Sequence, residues 1–291
     1  MNPLLRFNLD CTTACYYLPG PGNMNHFRSK AVLITGGTMG IGLATGLAFA
    51  REGAHCILTY RWGSTEESEV LRHFEAENLI PPMLVQADVA NSDDTAALME
   101  QIKRRHDRIE VFVSNVAFAQ VVKGLDHYDM RALSRSLEYT AWPMVEYTRK
   151  IRDVFGMHPR YIVGLSSGGV DQMYRNYDFV AASKAVLETL CRYLNYRLFD
   201  EDVRINIIRA YYVETDSLRA TFGMDFPEFV KKMSPVRGFT TAEEVANAVV
   251  ILCSGLMDGV SGQVLEVDRG SRFSVNLMGM FDERKEKNLG A

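Results

Sequence analysis

Short apolar runs alternate with stretches of helical periodicity along most of this chain. Residues 30–35 (KAVLIT) form an apolar run that stops at glycines, the pattern of a parallel strand buried on both faces. Ile41, Leu43, Leu47, Ala48 and Ala50 then recur at helical spacing and predict a helix over 40–52. The rhythm repeats, with strands expected at 54–60, 82–88, 110–115, 160–166, 203–209 and 263–268. Helices are expected at 64–77, 92–107, 130–155, 178–199 and 242–254. Ser92 reads as the N-cap of the third of these six helices, followed by two aspartates in its first turn. Pro143 predicts a kink within 130–155.

Strands alternating with helices of this length predict an α/β fold: one doubly wound, Rossmann-type parallel sheet of about seven strands, with helices on both faces. Such sheets bind ligands at the carboxyl ends of their strands. The 291 residues suit a single large domain over 28–275. Residues 1–27, broken by Pro19, Gly20, Pro21 and Gly22, read as an arm, and 276–291 as a charged tail.

Composition narrows the function. With 47% hydrophobic and 23% charged residues, core material is ample. A net charge of −4 gives no basic surface for nucleic acid or membrane, so neither is expected as a partner. No segment has the ~20 apolar residues of a membrane span, and the first residues lack a signal-peptide layout. The five cysteines are odd in number and widely spaced, which points to a reducing, cytoplasmic setting. Cys11 and Cys15 lack a second Cys/His pair, so no metal site is expected.

Candidate chemistry starts at Thr35-Gly36-Gly37-Thr38-Met39-Gly40-Ile41-Gly42, which ends a strand and opens a helix. Glycines let the backbone turn tightly against a pyrophosphate, and the helix N-terminus offers free N–H groups. At the end of the second strand the acidic residue that would hold both ribose hydroxyls of NAD is absent. Tyr60 is followed by Arg61, with Ser64 nearby, and a guanidinium with a hydroxyl suits a 2′-phosphate. NADPH is therefore expected over NADH; the plainer reading of Arg61 is a solvated surface arginine.

The Thr-Gly-x-x-x-Gly-Ile-Gly spacing resembles the cofactor fingerprint of short-chain dehydrogenases/reductases, and the resemblance covers about 29–275. Asp88-Val89 stands where that family contacts adenine, Ser114-Asn115-Val116-Ala117 looks like a degraded Asn-Asn-Ala-Gly motif, and Val260-Ser261-Gly262-Gln263 resembles its C-terminal signature. The resemblance implies cofactor contacts from Gly36, Thr38, Met39, Gly40, Ile41, Gly42, Arg61, Asp88, Val89, Asn115, Lys184, Val213 and Thr215.

The family's usual catalytic Tyr, four residues before its lysine, is Val180 here, counted back from Lys184. Tyr177 lies seven residues before Lys184, almost two helical turns, so both could share a helix face. This Tyr-x6-Lys spacing, with Asn176-Tyr177, Ser183-Lys184-Ala185 and Val213-Glu214-Thr215-Asp216, resembles the enoyl-acyl carrier protein reductases of the superfamily. The resemblance implies reduction of the carbon–carbon double bond of a 2-enoyl thioester. Tyr177 would bind the thioester oxygen, Lys184 would hold the nicotinamide ribose, and Ser167 would orient the substrate. The competing reading is a half-buried packing tyrosine at Tyr177 and a surface lysine at Lys184.

Two departures leave alternatives open. Glu138 stands where many relatives carry an Asn linked to the lysine, and Arg209-Ala210-Tyr211-Tyr212 replaces a Pro-Gly after strand six. A carbonyl or alcohol oxidoreductase, or a non-catalytic NADP(H)-binding sensor or scaffold, would also fit. The apolar residues Leu218, Phe222, Met224, Phe226, Phe229 and Met233 read either as a lid for an acyl chain or as one face of a helix. Lys231, Lys232 and Arg237 are candidates for docking a carrier protein. The family's habit implies a homodimer or homotetramer, joined through apolar positions such as Leu187, Leu190 and Leu194.

Overall fold

The computed structural model describes residues 26–61, 66–118, 121–215, 218–219, 223–233 and 239–273; the side chains of Lys232 and Met233 are outside this description. Cys11, Cys15, Ser64, Phe222, Arg237 and the tail 276–291 lie outside it too.

Seven strands form one sheet: β1 (Ala31–Ile34), β2 (His55–Tyr60), β3 (Met83–Gln86), β4 (Ile109–Ser114), β5 (Tyr161–Ser167), β6 (Arg204–Ala210) and β7 (Val264–Val267). Their order is β3-β2-β1-β4-β5-β6-β7, and every pair is parallel. Strand order reverses between β1 and β4, where a doubly wound sheet opens a crevice at its carboxyl edge.

The intervening helices are α1 (Gly40–Arg51), α2 (Glu67–Ala76), α3 (Ser92–Lys103), α4 (Met130–Thr140), α5 (Trp142–Phe155), α6 (Asp178–Arg197), α7 (Phe226–Met233) and α8 (Ala242–Cys253). The alternation of side chains along each strand divides the core into two layers. Val32 and Ile34 pack on one face with Phe49, Phe74 and Val249; Ala31 and Leu33 pack on the other with Leu98, Tyr147 and Leu187.

Several expectations change in detail. The stretch 130–155 is two helices, because Pro143 falls in the first turn of α5, where its missing N–H costs nothing, rather than kinking one rod. Asn91, not Ser92, caps α3: its side chain accepts from the amides of Asp93 and Asp94. β3 stops at Gln86, so Asp88 and Val89 sit on the loop beyond it. Phe27, assigned to the arm, is buried edge-on against Phe49 at 4.8 Å between ring centroids. Leu187 is fully buried, and Leu190 and Leu194 pack on the same layer, so they serve this chain's own core. The residues that α6 turns outward include Tyr193 and Tyr196.

Candidate active site

The carboxyl edge of the sheet opens into one cleft of about 670 Å³. Its floor begins at the glycine turn. Gly36 has φ +62°, a left-handed backbone that favours glycine. A Cβ at Gly42 would stand 2.1 Å from the Gly36 carbonyl oxygen, so only glycine lets α1 start this close beneath the turn. Asn115, at the end of β4, donates from its side-chain amide to the Thr35 and Gly36 carbonyls at 3.1 and 3.0 Å. Met39 holds the N-cap position of α1 in extended backbone and makes no side-chain cap. The first-turn amides therefore face the cleft without a capping side chain, as a helix that receives a phosphate requires.

Gly36, Thr38, Met39, Gly40, Ile41, Arg61, Asp88, Val89, Asn115, Ser167, Tyr177, Lys184, Val213 and Thr215 all line this one cleft. Gly42 is the exception, since it supports the turn from below. Arg61 is half-exposed, 3.4 Å from the Tyr139 hydroxyl and 4.0 Å from an Asp88 carboxylate oxygen. The turn, the bare helix end and the cation at the far mouth fit a dinucleotide laid across β2, β1 and β4.

The chemical end lies over β5 and β6. Lys184, on α6, is 4% exposed and donates from Nζ to the Leu165 carbonyl at 2.5 Å. Burial pushes its ammonium down to about 8, while the nearby Glu188 carboxylate works against that fall. Tyr177 holds the N-cap position of α6 with non-helical backbone, so it shares no helical face with Lys184 as the spacing alone predicts. It lines the cleft from the residue just before the helix begins. Its hydroxyl is bonded to Ser167, and burial holds the phenol above its usual pKa despite that bond. Ser167 in turn accepts from the Gly169 amide at 3.3 Å. Val180 is buried and does not line the cleft.

Glu138 is exposed on α4 and lines a separate polar groove with Arg131 and Arg135, so it takes no part beside Lys184. Met224 and Phe229 are exposed, whereas Leu218 is buried in the cleft wall; Lys231 is paired with Glu214 and Glu228. Sequence reasoning missed Tyr139 and Tyr174, which also line the cleft. It also missed Glu188, whose carboxylate accepts from Ser166 at 2.6 Å and from Arg209 at 3.0 and 2.6 Å.

Comparison with known proteins agrees with this geometry. The family model described as enoyl-(acyl carrier protein) reductase matches residues 36–272. The enoyl-[acyl-carrier-protein] reductase [NADH] of Aquifex aeolicus is 26% identical over 271 residues, covering 90% of this chain and 97% of that one. A 1-cyclohexenylcarbonyl-CoA reductase of Streptomyces collinus is 28% identical, covering 84% and 87%. The crystal structure of the Aquifex aeolicus reductase superposes with a TM-score of 0.72 at 25% identity, over 84% of this chain and 97% of that one. The fold, the nicotinamide-type cleft and the family match together make this chain an oxidoreductase of the short-chain type that belongs to the enoyl-(acyl carrier protein) reductase family.

Proposed function

We propose that this protein reduces the carbon–carbon double bond of a 2-enoyl thioester, using NADPH, on a single domain over about 28–275. The observation that carries the reading is the Tyr177 phenol, which faces the cleft beside Ser167 and at the same end as Lys184, while Val180 is buried. The reduced nicotinamide, when bound, supplies hydride to Cβ of the substrate. As negative charge grows on the thioester oxygen, the Tyr177 hydroxyl donates to it. Its raised pKa keeps the phenol protonated and able to donate at neutral pH. Ser167, bonded to that phenol, orients it. Lys184 holds the nicotinamide ribose and keeps the local field positive, which favours the oxyanion. Cα is then protonated by the phenol or by water.

Gly36, Thr38, Met39, Gly40, Ile41 and Gly42 would hold the pyrophosphate; Asp88 and Val89 the adenine; Asn115 the floor of the turn; Val213 and Thr215 the nicotinamide end. Arg61 supports the choice of NADPH, since it lines the mouth beside the adenine side with half its side chain open to solvent. A 2′-phosphate would draw it from Asp88. The acyl group would arrive as a free thioester or on a carrier protein. A homodimer or homotetramer would join through outward residues of α6 such as Tyr193 and Tyr196.

The test follows cofactor absorbance with crotonyl and longer 2-enoyl thioesters, with NADPH and NADH in parallel. Turnover is expected in the wild type, with higher kcat/KM for NADPH, and a fall of about 100-fold or more in kcat for Tyr177→Phe. Confirmed cofactor binding with no turnover of any enoyl thioester would overturn the reaction; carbonyl turnover would then favour a short-chain alcohol or carbonyl oxidoreductase.

A further inference from the structure

Beyond Tyr177, the reaction end of the cleft is walled by aromatic rings that the chemistry above leaves unused. Tyr177 meets Tyr174 at 5.6 Å between ring centroids and 60° between planes. Tyr174 meets Tyr212 at 5.3 Å and 33°, and Tyr212 meets Phe226 at 5.4 Å and 65°. All lie in the range of about 4.5–7 Å over which aromatic rings attract edge-to-face or offset. Tyr174, Tyr177 and Tyr212 line the cleft itself. The row thus starts at the phenol that faces the thioester and runs away from it over the ends of β5 and β6.

The backbone is shaped to seat these rings. A Cβ at Gly168 would stand 2.4 Å from the Tyr211 ring and 2.7 Å from the Tyr174 hydroxyl. One at Gly169 would stand 2.6 Å from the Tyr177 ring. The turn after β5 is bare where the rings press on it, so the wall has a fixed position relative to Tyr177. The hydroxyls of Tyr174 and Tyr212 are bonded to each other, and burial holds the Tyr174 phenol neutral. These rings therefore offer a substrate an uncharged aromatic face.

The geometry points to a ring-bearing substrate: a 2-enoyl thioester whose double bond is conjugated to an aromatic ring, or lies in or beside an alicyclic ring, with that ring stacking on Tyr174 and Tyr212. This rests on the enoyl-reduction reading and names its substrate class. A ring gains the directional contacts that aromatic walls provide and has few rotors to immobilise. A long linear chain must order many methylenes against a surface that offers it no such geometry. The electron balance is unchanged: two electrons pass as hydride from the reduced nicotinamide to Cβ, one proton is added at Cα, and the oxidised cofactor leaves.

The experiment measures kcat/KM of the full chain, with NADPH, for cinnamoyl, crotonyl and trans-2-dodecenoyl thioesters of coenzyme A. The cinnamoyl thioester is expected to be preferred over dodecenoyl by about tenfold, the strength of two ring contacts. In Tyr174→Leu and Tyr212→Leu the ratio of cinnamoyl to crotonyl kcat/KM is expected to fall about fivefold or more, through KM. Circular dichroism confirms that the variants fold. Turnover with dodecenoyl preferred, or with the cinnamoyl-to-crotonyl ratio unmoved in both variants, overturns the ring preference alone. No turnover of any of the three, with NADPH or NADH, overturns the reaction and the substrate class together.

Discussion

Lys184 is a cation held under the cleft floor, and its chemistry sets a pH limit. Burial lowers its pKa to about 8, so the ammonium form dominates below that value and is lost as pH rises through it. If this ammonium grips the ribose, cofactor affinity should be flat from about pH 6.5 to 7.5 and fall toward tenfold per pH unit above about 8. Fluorescence titration of NADPH checks this, and Lys184→Arg should remove the fall. A wild-type affinity that stays level to pH 9.5 would detach Lys184 from the cofactor. The glycine turn was legible in the sequence because it answers to local backbone geometry at a fixed spacing, and Lys184 only through the resemblance of the motif around it; both line the cleft. Tyr177 was legible by spacing but for an inexact reason, since it stands at the mouth of α6 rather than on its face. Tyr174 and Tyr212 were not legible as a pair: they are far apart in sequence, and the loops after β5 and β6 bring their rings to 5.3 Å.

Among the elements, caps decide where helices begin more sharply than periodicity does. Asn91 accepts from two first-turn amides of α3, whereas Ser92 reaches across the surface to Glu146. Asn91→Ala should therefore cost about 1 kcal/mol of stability, and Ser92→Ala about 0.5 or less, by chemical denaturation. Equal losses would mean that the cap is shared. The one long helix expected over 130–155 failed for a similar reason: the apolar stripe runs on across the break, but Pro143 starts a new first turn. Arg269 is a different case. It carries φ +52°, in the left-handed region that favours glycine, and its guanidinium lies 2.9 Å from both Glu244 carboxylate oxygens. That ion pair ties the end of β7 to the first turn of α8, whose capping box is built from the same Glu244 and Thr241.

Across the whole molecule, one buried ion pair joins the elements that carry the reaction end. Arg209 on β6 and Glu188 on α6 are 7% and 3% exposed, and Arg209 also reaches Glu266 on β7 at 3.3 Å and Asp171 on the turn after β5. Removing one member leaves the other charged and buried, so Arg209→Met should cost about 3–5 kcal/mol. Glu188→Leu with Arg209→Met should recover much of that loss, giving a coupling of about 2 kcal/mol or more in a double-mutant cycle. Strictly additive losses would show that the two side chains act separately. No helix among the described residues is long and apolar enough to cross a membrane. The overall architecture was readable because parallel strands and crossover helices alternate so regularly. This ion pair was not, because its members become neighbours only when α6 lies back on the sheet.

The reversal of strand order also has a consequence for how the chain comes together. β1 and β4 are joined across 78 residues of sequence, through bonds such as Thr35 Oγ1 to the Val113 carbonyl at 3.3 Å. On either side, strands pair with their sequence neighbours through single crossovers. Among the strand pairings, the seam between the halves thus closes the longest loop. Asn115 fastens that seam from one side to the glycine turn on the other. A dinucleotide lying on that turn would bridge both halves and act as a clasp. Backbone amides along the seam, Thr35 N–H to Val113 among them, are where the bound cofactor would slow hydrogen exchange most, so the same residues that grip the ligand would set how often the molecule opens.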